Sequence, residues 1–344
     1  MPRMMEMAAS LDVLPALAVR IYEQQEVAST IGDRESQCLR EALLENTLRN
    51  MQIVAQGIKL ARTLNSAGIT PLFLKGTAQL LTVNKEKLGF RKQVDIDLIV
   101  EPASLVDACQ ALQADGYGFY QEQYTSEGQP SLLHDTQAAF RISAAHHHLP
   151  PLVKFGQGLF VELHRHFLPR RFQKKNPLEP LFDTASQHES HGVTFQVPST
   201  EYQIIHIVLG KLVHDGYLAS REFPIREACD YIDLVKNSNG NFDNELLEEH
   251  CGNKYRIFCQ LVNELMGYKP NISLTMRSNV KHRIQLMQRR YNSPSMEKLL
   301  NAYARAAHLS NSMLYSPSKL PAYLRRLPKI GEIIQKNKRS HTLW

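Results

Sequence analysis

The sequence has few of the features that mark secreted, disulfide-bonded or membrane-spanning proteins. It holds five cysteines, an odd number without metal-ligand spacing, which favours reduced thiols in a cytoplasm. No apolar run approaches the roughly 18–20 residues of a membrane-spanning helix. The N-terminal stretch MPRMMEMAASLDVLPALAV contains Glu6 and Asp12 and lacks the charged-then-apolar layout of a signal peptide. We therefore expect a cytoplasmic protein.

Signals for nucleic-acid recognition are also few. Trp344 is the single tryptophan available for base stacking, and we find no RNA- or DNA-reading motif. The formal net charge is +6, and residues 316–344 hold seven Lys or Arg against one acid, Glu332. Such a basic tail could bind nucleic acid or acidic lipid, but it is also typical of a solvated chain end. A basic nucleic-acid-binding module therefore stays an alternative function.

The apolar pattern predicts an α+β fold. A long helix is predicted over residues 34–66, where apolar side chains recur at spacings of three and four: Leu44, Leu48, Met51, Ala55 and Ile58. Strands are predicted at 69–75, 91–100, 117–124, 137–149 and 158–164, with a loop before the last. We expect three domains: an N-terminal helical segment (1–66), a small mixed sheet with helices (67–198), and a helical domain with the basic tail (199–344).

Two aspartates lie inside an otherwise apolar strand. In RKQVDIDLIV, residues 91–100, Asp95 and Asp97 share one face and are about 6.6–7 Å apart along the strand. Asp is disfavoured in strands, and an ionised carboxylate is costly to bury without a partner. The pair therefore needs positive charge between its members. The two acids could instead cap a turn, although they precede the apolar LIV rather than follow it.

A second strand carries a carboxylate at its middle. In LFVELHRHF, residues 159–167, alternation puts Glu162 and His164 on one face. If the sheet brings Glu162 beside Asp95 and Asp97, the three acids form a cluster suited to a hard divalent cation such as Mg²⁺. Two such ions would suit in-line phosphoryl or nucleotidyl transfer. Glu162 could instead face water on an edge strand, and His164 could be structural.

The turn Lys75-Gly76-Thr77 suits an anion. Gly76 lets backbone amides approach a phosphate, and a helix N-terminus favours negative charge. Thr77 adds a hydroxyl donor, and Lys75 or Arg91 adds positive charge. The alternatives are that Lys75 is a surface lysine and that Arg91 pairs with an acid nearby.

In this order, LFLKGTAQLL, RKQVDIDLIV and FVELHRHF resemble the nucleotidyltransferase superfamily that includes DNA polymerase β. The similarity is greater to a bacterial branch of uncharacterised nucleotidyltransferases. It runs from about Leu72 to His166, with weaker helical similarity to about Lys236. The resemblance implies that residues 67–198 are the nucleotidyltransferase core. It also implies three catalytic and metal-binding acids, which are Asp95, Asp97 and Glu162. Together with the turn described above, this predicts four nucleotide-binding residues, which are Lys75, Gly76, Thr77 and Arg91.

The resemblance implies transfer of a nucleoside monophosphate from a nucleoside triphosphate to an acceptor hydroxyl, with Mg²⁺ or Mn²⁺. The usual Gly-Ser of the superfamily is Gly76-Thr77 here, which keeps a hydroxyl. Four classes of acceptor fit this reaction: a small molecule, a sugar, a protein side chain or an RNA end. A catalytically degenerate nucleotide-binding protein is an alternative against which the intact acids argue. Since unpaired carboxylates repel, we expect Asp95→Asn and Asp97→Asn to leave the metal-free protein at least as stable.

Other motifs give weaker signals. As a strand, the run His146 to His148 would place only its first and third members on one face, so a metal role for it is weak. His214-Asp215 resembles HD-type phosphohydrolases, but the spacing of further ligands fits poorly. The resemblance to nucleotidyltransferases instead implies that this stretch belongs to a helical domain across the cleft. In that domain Arg221, Arg226 or Asp230 would contact nucleotide or acceptor.

Overall fold

A computed structural model describes residues 1–83, 87–124, 130–220 and 222–270, together with 282 and 284–286. The basic tail 316–344, which includes Trp344, and Arg221 lie outside the described residues. The chain divides into two units, Met1–Gly210 with Pro224–Leu274, and Lys211–Phe223 with Thr275–Trp344.

Helices and strands alternate along the chain after a helical N-terminus. The helices are α1 Pro2–Ser10, α2 Leu14–Tyr22, α3 Gln25–Ser29, α4 Asp33–Ser66, α5 Lys75–Thr82, α6 Leu105–Ala114, α7 Thr136–Ile142, α8 Arg170–Gln173, α9 Glu179–Asp183, α10 Thr200–Ile205, a π-helical segment His206–His214, α11 Tyr217–Ser220, α12 Ile225–Asn237, α13 Asn244–Cys251 and α14 Asn253–Met266. The strands are β1 Leu72–Phe73, β2 Asp95–Ile99, β3 Gly118–Tyr124, β4 Pro130–Leu133, β5 Leu152–Lys154, β6 Gln157–His164, β7 Ser186–Ser190 and β8 Val193–Val197. This is the predicted α+β fold class.

The strands form one mixed sheet in the order β4-β3-β5-β6-β2-β1-β8-β7. Strands β2 and β6 are parallel neighbours at its centre, and β1 is parallel to β8. The other paired strands run antiparallel. The predicted strands at 91–100 and 158–164 are therefore confirmed as adjacent central strands.

The main core lies on one face of the central strands. Ile96 and Leu98 of β2 and Val161 and Leu163 of β6 are fully buried, together with apolar side chains of helix α4 such as Leu60. Each such side chain contributes about 1.5–3 kcal/mol of burial free energy. Because successive strand residues point to opposite faces, this burial directs Asp97 and Glu162 to the other face.

Helix α4 is confirmed, but most of the apolar side chains that predicted it are exposed, and Ile58 is the buried exception among them. Leu44, Leu48 and Met51 are exposed, whereas Asn46 and Asn50 are buried. The Asn46 and Asn50 side chains each donate a hydrogen bond to the Arg91 carbonyl, over 3.0 and 2.7 Å. This polar face of the helix is buried because its side-chain amides donate hydrogen bonds to backbone carbonyls of the loop that precedes β2.

The predicted strand over 137–149 is wrong. Residues Thr136–Ile142 form helix α7, whose N-terminus is capped by the Asp135 carboxylate through a 3.0 Å hydrogen bond from the Ala138 N–H. Such a cap stabilises the first turn of a helix, because it gives a hydrogen-bond acceptor to a backbone N–H that has no partner within the helix. The predicted loop before β6 is also partly wrong, since it contains β5 Leu152–Lys154, paired antiparallel with β6.

No helix among the described residues is both long enough and apolar enough to cross a membrane. The β7–β8 hairpin and strand β4 were not predicted from the sequence. The three-domain division stays a prediction.

Candidate active site

Asp97 and Glu162 lie opposite each other on the parallel strands β2 and β6. The same register pairs Asp95 with Phe160 and Ile99 with His164. The Asp97 side chain is 1% exposed and that of Glu162 is 21% exposed. The sheet therefore brings together two of the three predicted acids, one enclosed and one reachable from solvent.

His164 completes a group of three side chains. Ligand atoms of Asp97, Glu162 and His164 all lie within 4.8 Å of one another. His164 is fully buried, and its Nε2 lies 3.0 Å from Asp97 Oδ1 and 3.6 Å from Glu162 Oε2. Two carboxylates and an imidazole within this distance are able to hold a divalent cation. The alternation of β6 had placed His164 on the Glu162 face, and that was the signal for it.

Lys75 provides the positive charge that the acids need. Its Nζ lies 2.5 Å from Asp97 Oδ1 and 3.6 Å from Glu162 Oε2. Lys75 is the first residue of helix α5 and has a left-handed backbone with φ 53°. This conformation costs a non-glycine residue about 1 kcal/mol or more and is often found at functional sites. The sequence had suggested a phosphate-binding lysine, and the structure puts its ammonium against the carboxylates.

The carboxylates and the two basic groups favour one another's charged forms. Burial alone would raise the pKa of Asp97, but the Lys75 ammonium and His164 keep it well below its usual value. The pKa of Glu162 is lowered in spite of burial, mainly through the His164 hydrogen bond and Lys75. Burial opposes charge on Lys75 and His164, yet the two carboxylates raise both pKa values. The ionised carboxylates are therefore neutralised by protein groups.

Asp95 does not belong to the group of close ligand atoms. It is the first residue of β2 and is half-buried. Its carboxylate accepts a hydrogen bond from Gln93 Nε2 over 2.8 Å. Its charge contributes to raising the pKa of Lys75, so it acts on the same site electrostatically.

Gly76 and Thr77 fasten the start of helix α5 to its surroundings. A Cβ at position 76 would collide with the Arg91 guanidinium and the Gln93 amide, which themselves are hydrogen-bonded. Thr77 is fully buried; its Oγ1 accepts from the Asp97 N–H over 3.1 Å and donates to Asp95 O over 3.4 Å. The threonine hydroxyl thus binds the backbone of β2, where the sequence had suggested a phosphate contact.

Arg91 pairs with an acid of the helical region. Its Nε lies 3.0 Å from both carboxylate oxygens of Asp230 on helix α12. The alternative that Arg91 pairs with a nearby acid is therefore realised. Burial raises the pKa of Asp230 to about 6, against the opposing charge of Arg91. Arg226 pairs with Glu227 over 2.8 Å on the same helix.

Two of the three consecutive histidines, His147 and His148, lie beside His164. The His147 and His148 ring centroids lie 5.3 and 5.6 Å from that of His164. His148 Nδ1 lies 2.7 Å from its neighbouring carbonyl, Leu149 O. Burial lowers the pKa of both His147 and His148, which favours neutral rings. Both rings therefore lie beside the acid site. Their position next to His164 was not predicted from the alternation of a strand.

The family profile described as "Uncharacterised nucleotidyltransferase" matches residues 1–265, which is most of the chain. No curated protein matches the sequence. The matched range contains the whole acid site, helix α5 and the Arg91–Asp230 pair. This chain therefore belongs to the uncharacterised nucleotidyltransferase family.

Proposed function

We propose that this protein transfers a nucleoside monophosphate from a nucleoside triphosphate to an acceptor hydroxyl, with Mg²⁺ or Mn²⁺. The observation that carries the proposal is the juxtaposition of Asp97 and Glu162 on adjacent parallel strands, with His164 beside them. Membership of a nucleotidyltransferase family supports the reaction type. A small molecule, a sugar, a protein side chain or an RNA end would serve as acceptor.

The side chains fit a divalent cation. Asp97 Oδ2 is buried and has no hydrogen-bond partner within the described part of the chain. An unsatisfied buried acceptor costs about 1–3 kcal/mol, and a cation would satisfy it. Asp97, Glu162 and His164 would hold the ion, with Asp95 as a further ligand at the start of β2. A bound ion would neutralise charge on the triphosphate and on the leaving pyrophosphate.

The residues of helix α5 would orient the donor. Lys75 would give positive charge to the triphosphate, and Gly76 allows the Arg91 guanidinium to lie against the backbone beside it. Thr77 keeps this turn in a fixed position relative to Asp97. Catalysis by such a site depends on positioning and electrostatic stabilisation.

Glu162 is our candidate for the proton acceptor. Its side chain is more exposed than that of Asp97, at 21% against 1%, so an acceptor hydroxyl reaches it more readily. Its lowered pKa keeps it ionised near neutral pH. A carboxylate within reach of the hydroxyl can take the proton as the nucleophile attacks.

One observation favours a second candidate, a nucleotide-binding protein without catalysis. Lys75 Nζ already lies 2.5 Å from Asp97 Oδ1, so the acids are neutralised without a metal ion. A protein of this kind would bind a triphosphate in the presence of Mg²⁺ or Mn²⁺ without ever producing pyrophosphate.

The test is to incubate the protein with each of the four α-labelled ribonucleoside triphosphates, Mg²⁺ or Mn²⁺, and a cell extract. We expect one triphosphate to label an acceptor, which is then identified. Asp97→Asn should abolish labelling, whereas Asp115→Asn, which alters an acid paired with Lys154 outside the site, should not. Triphosphate binding without labelling or pyrophosphate release under every condition would favour the non-catalytic candidate.

A further inference from the structure

The Lys75 ammonium contacts one oxygen of each carboxylate that a divalent cation would bind. It lies 2.5 Å from Asp97 Oδ1 and 3.6 Å from Glu162 Oε2. The Lys75 side chain is only 18% exposed, so water screens these contacts weakly. A cation that binds both carboxylates must therefore displace Lys75 from these oxygens or, if it binds Asp97 Oδ2, lie close to the like charge of the ammonium.

The backbone aims Lys75 at the acids from a different element. Lys75 begins helix α5 in the left-handed conformation. The next two residues are held in place by contacts with other parts of the fold. Gly76 is covered by Arg91 and Gln93, and the Thr77 hydroxyl is bonded to β2. The ammonium is thus tethered at short range, which makes its local concentration at the carboxylates high.

Displacement of Lys75 has a specific electrostatic consequence. A divalent cation that replaces the ammonium leaves that ammonium without its carboxylate partners in a largely enclosed site. An unpaired, poorly hydrated charge is strongly unfavourable. A triphosphate removes this penalty, because its anionic oxygens give the ammonium new partners.

We propose that Lys75 is a tethered counter-ion that keeps free divalent cations out of the Asp97–Glu162 pair and yields only when the cation arrives with a triphosphate. The proposal rests on the proposed function, since it takes the acid pair as a cation site. It makes the metal–triphosphate chelate the ligand of the site. Cation and triphosphate then bind with positive coupling, and linkage requires that each strengthens the other equally.

The test compares free Mn²⁺ binding, measured by electron paramagnetic resonance, in four proteins without nucleotide. Lys75→Met removes the ammonium but keeps most of the length of the apolar chain, and Lys75→Arg keeps the charge. Lys154→Met is the matched control, because it removes a lysine that pairs with Asp115 over 3.0 Å elsewhere. We expect Lys75→Met to bind free Mn²⁺ about tenfold more tightly than wild type, or more, within the usual range of coupling. Lys75→Arg and Lys154→Met should bind it as weakly as wild type.

Thermal unfolding of wild type gives a second measurement that needs no variant. Mn²⁺ alone and the four ribonucleoside triphosphates alone should leave its Tm nearly unchanged, whereas the two together should raise it. In Lys75→Met, Mn²⁺ alone should raise the Tm. The wild-type result keeps the proposal testable if Lys75→Met does not fold.

The outcomes separate the two proposals. Equal affinity of wild type and Lys75→Met for free Mn²⁺, or a wild-type Tm raised as far by Mn²⁺ alone as by the mixture, overturns the counter-ion role and leaves the proposed function standing. Absence of Mn²⁺ binding in all four proteins, with and without triphosphates, overturns both.

Discussion

The side chain of Thr77 joins the start of helix α5 to strand β2, because its Oγ1 accepts a hydrogen bond from the backbone N–H of Asp97 over 3.1 Å. The threonine is fully buried and its hydroxyl also donates to Asp95 O. The turn that carries Lys75 and the strand that carries Asp97 are therefore held in one geometry.

Thr77→Val should destabilise the protein by about 1–3 kcal/mol, since it leaves the buried Asp97 N–H without its partner while keeping the side-chain volume. Thr77→Ser keeps the hydroxyl and loses one methyl group, which should cost about 1 kcal/mol. Urea unfolding of the three proteins measures the difference. A valine variant that is as stable as the serine variant would contradict a structural role for this hydrogen bond.

Gly76→Ala should lower the free energy of unfolding by about 1–3 kcal/mol, because the new methyl group displaces Arg91 and Gln93. Arg91 cannot move freely, since Asp230 holds its guanidinium. Gly158 on β6 is the matched control, because a Cβ there meets nothing within 4 Å. Gly158→Ala should be neutral or stabilising by up to about 1 kcal/mol. Equal effects of the two substitutions in thermal or urea unfolding would show that Gly76 is not crowded.

Asp97→Asn should destabilise the metal-free protein by about 3–5 kcal/mol, as expected when one partner of a buried ion pair is removed. This reverses the expectation from the sequence, because the structure surrounds Asp97 with Lys75 and His164 rather than with unpaired acids. The half-buried Asp95 should tolerate Asn with a smaller loss. Adding Lys75→Met to Asp97→Asn should restore part of the stability, and a double-mutant cycle by urea unfolding measures that coupling. Additive effects of the two substitutions would contradict the ion pair.

Asp230 should make stability depend on pH. Burial raises its pKa to about 6 in the folded protein, above the value of about 4 in an unfolded chain. The folded state therefore binds more protons between these values, so this group's contribution to stability is complete below about pH 4 and is lost as the pH rises through about 6. Between pH 4.5 and pH 7, the free energy of unfolding should decrease more for wild type than for Asp230→Asn. Asp233→Asn, which changes an exposed acid on the same helix, is the control. A wild-type decrease no larger than that of Asp230→Asn would contradict the prediction.

Mg²⁺ or Mn²⁺ together with the correct triphosphate should stabilise wild type by about 2.7 kcal/mol at about a hundredfold excess over the dissociation constant. Asp95→Asn and Asp97→Asn should lose most of this gain and Glu162→Gln part of it, because each removes a carboxylate from the site. Thermal unfolding with and without ligands measures the gain, with Asp115→Asn as the control. Full stabilisation of both aspartate variants would make these acids structural.

The sequence alone was enough to predict strands β2 and β6 and the faces of their acids. The reason is local: side chains alternate along a strand, so Ile96 and Leu98 direct Asp97 to the opposite face, and Val161 and Leu163 direct Glu162 in the same way. Helix α4 and the α+β class were also predicted, because their apolar periodicity extends over many residues.

The tertiary structure decided which groups meet. The register that pairs Asp97 with Glu162, the approach of Lys75 from helix α5 and the pairing of Arg91 with Asp230 all join residues far apart in the chain. The same is true of the buried face of α4, where Asn46 and Asn50 satisfy a distant loop while Leu44 and Leu48 stay exposed. Alternation and periodicity report only which residues share a face. The partner of that face, and therefore the charge that balances a buried carboxylate, depends on packing between elements, which no local pattern encodes.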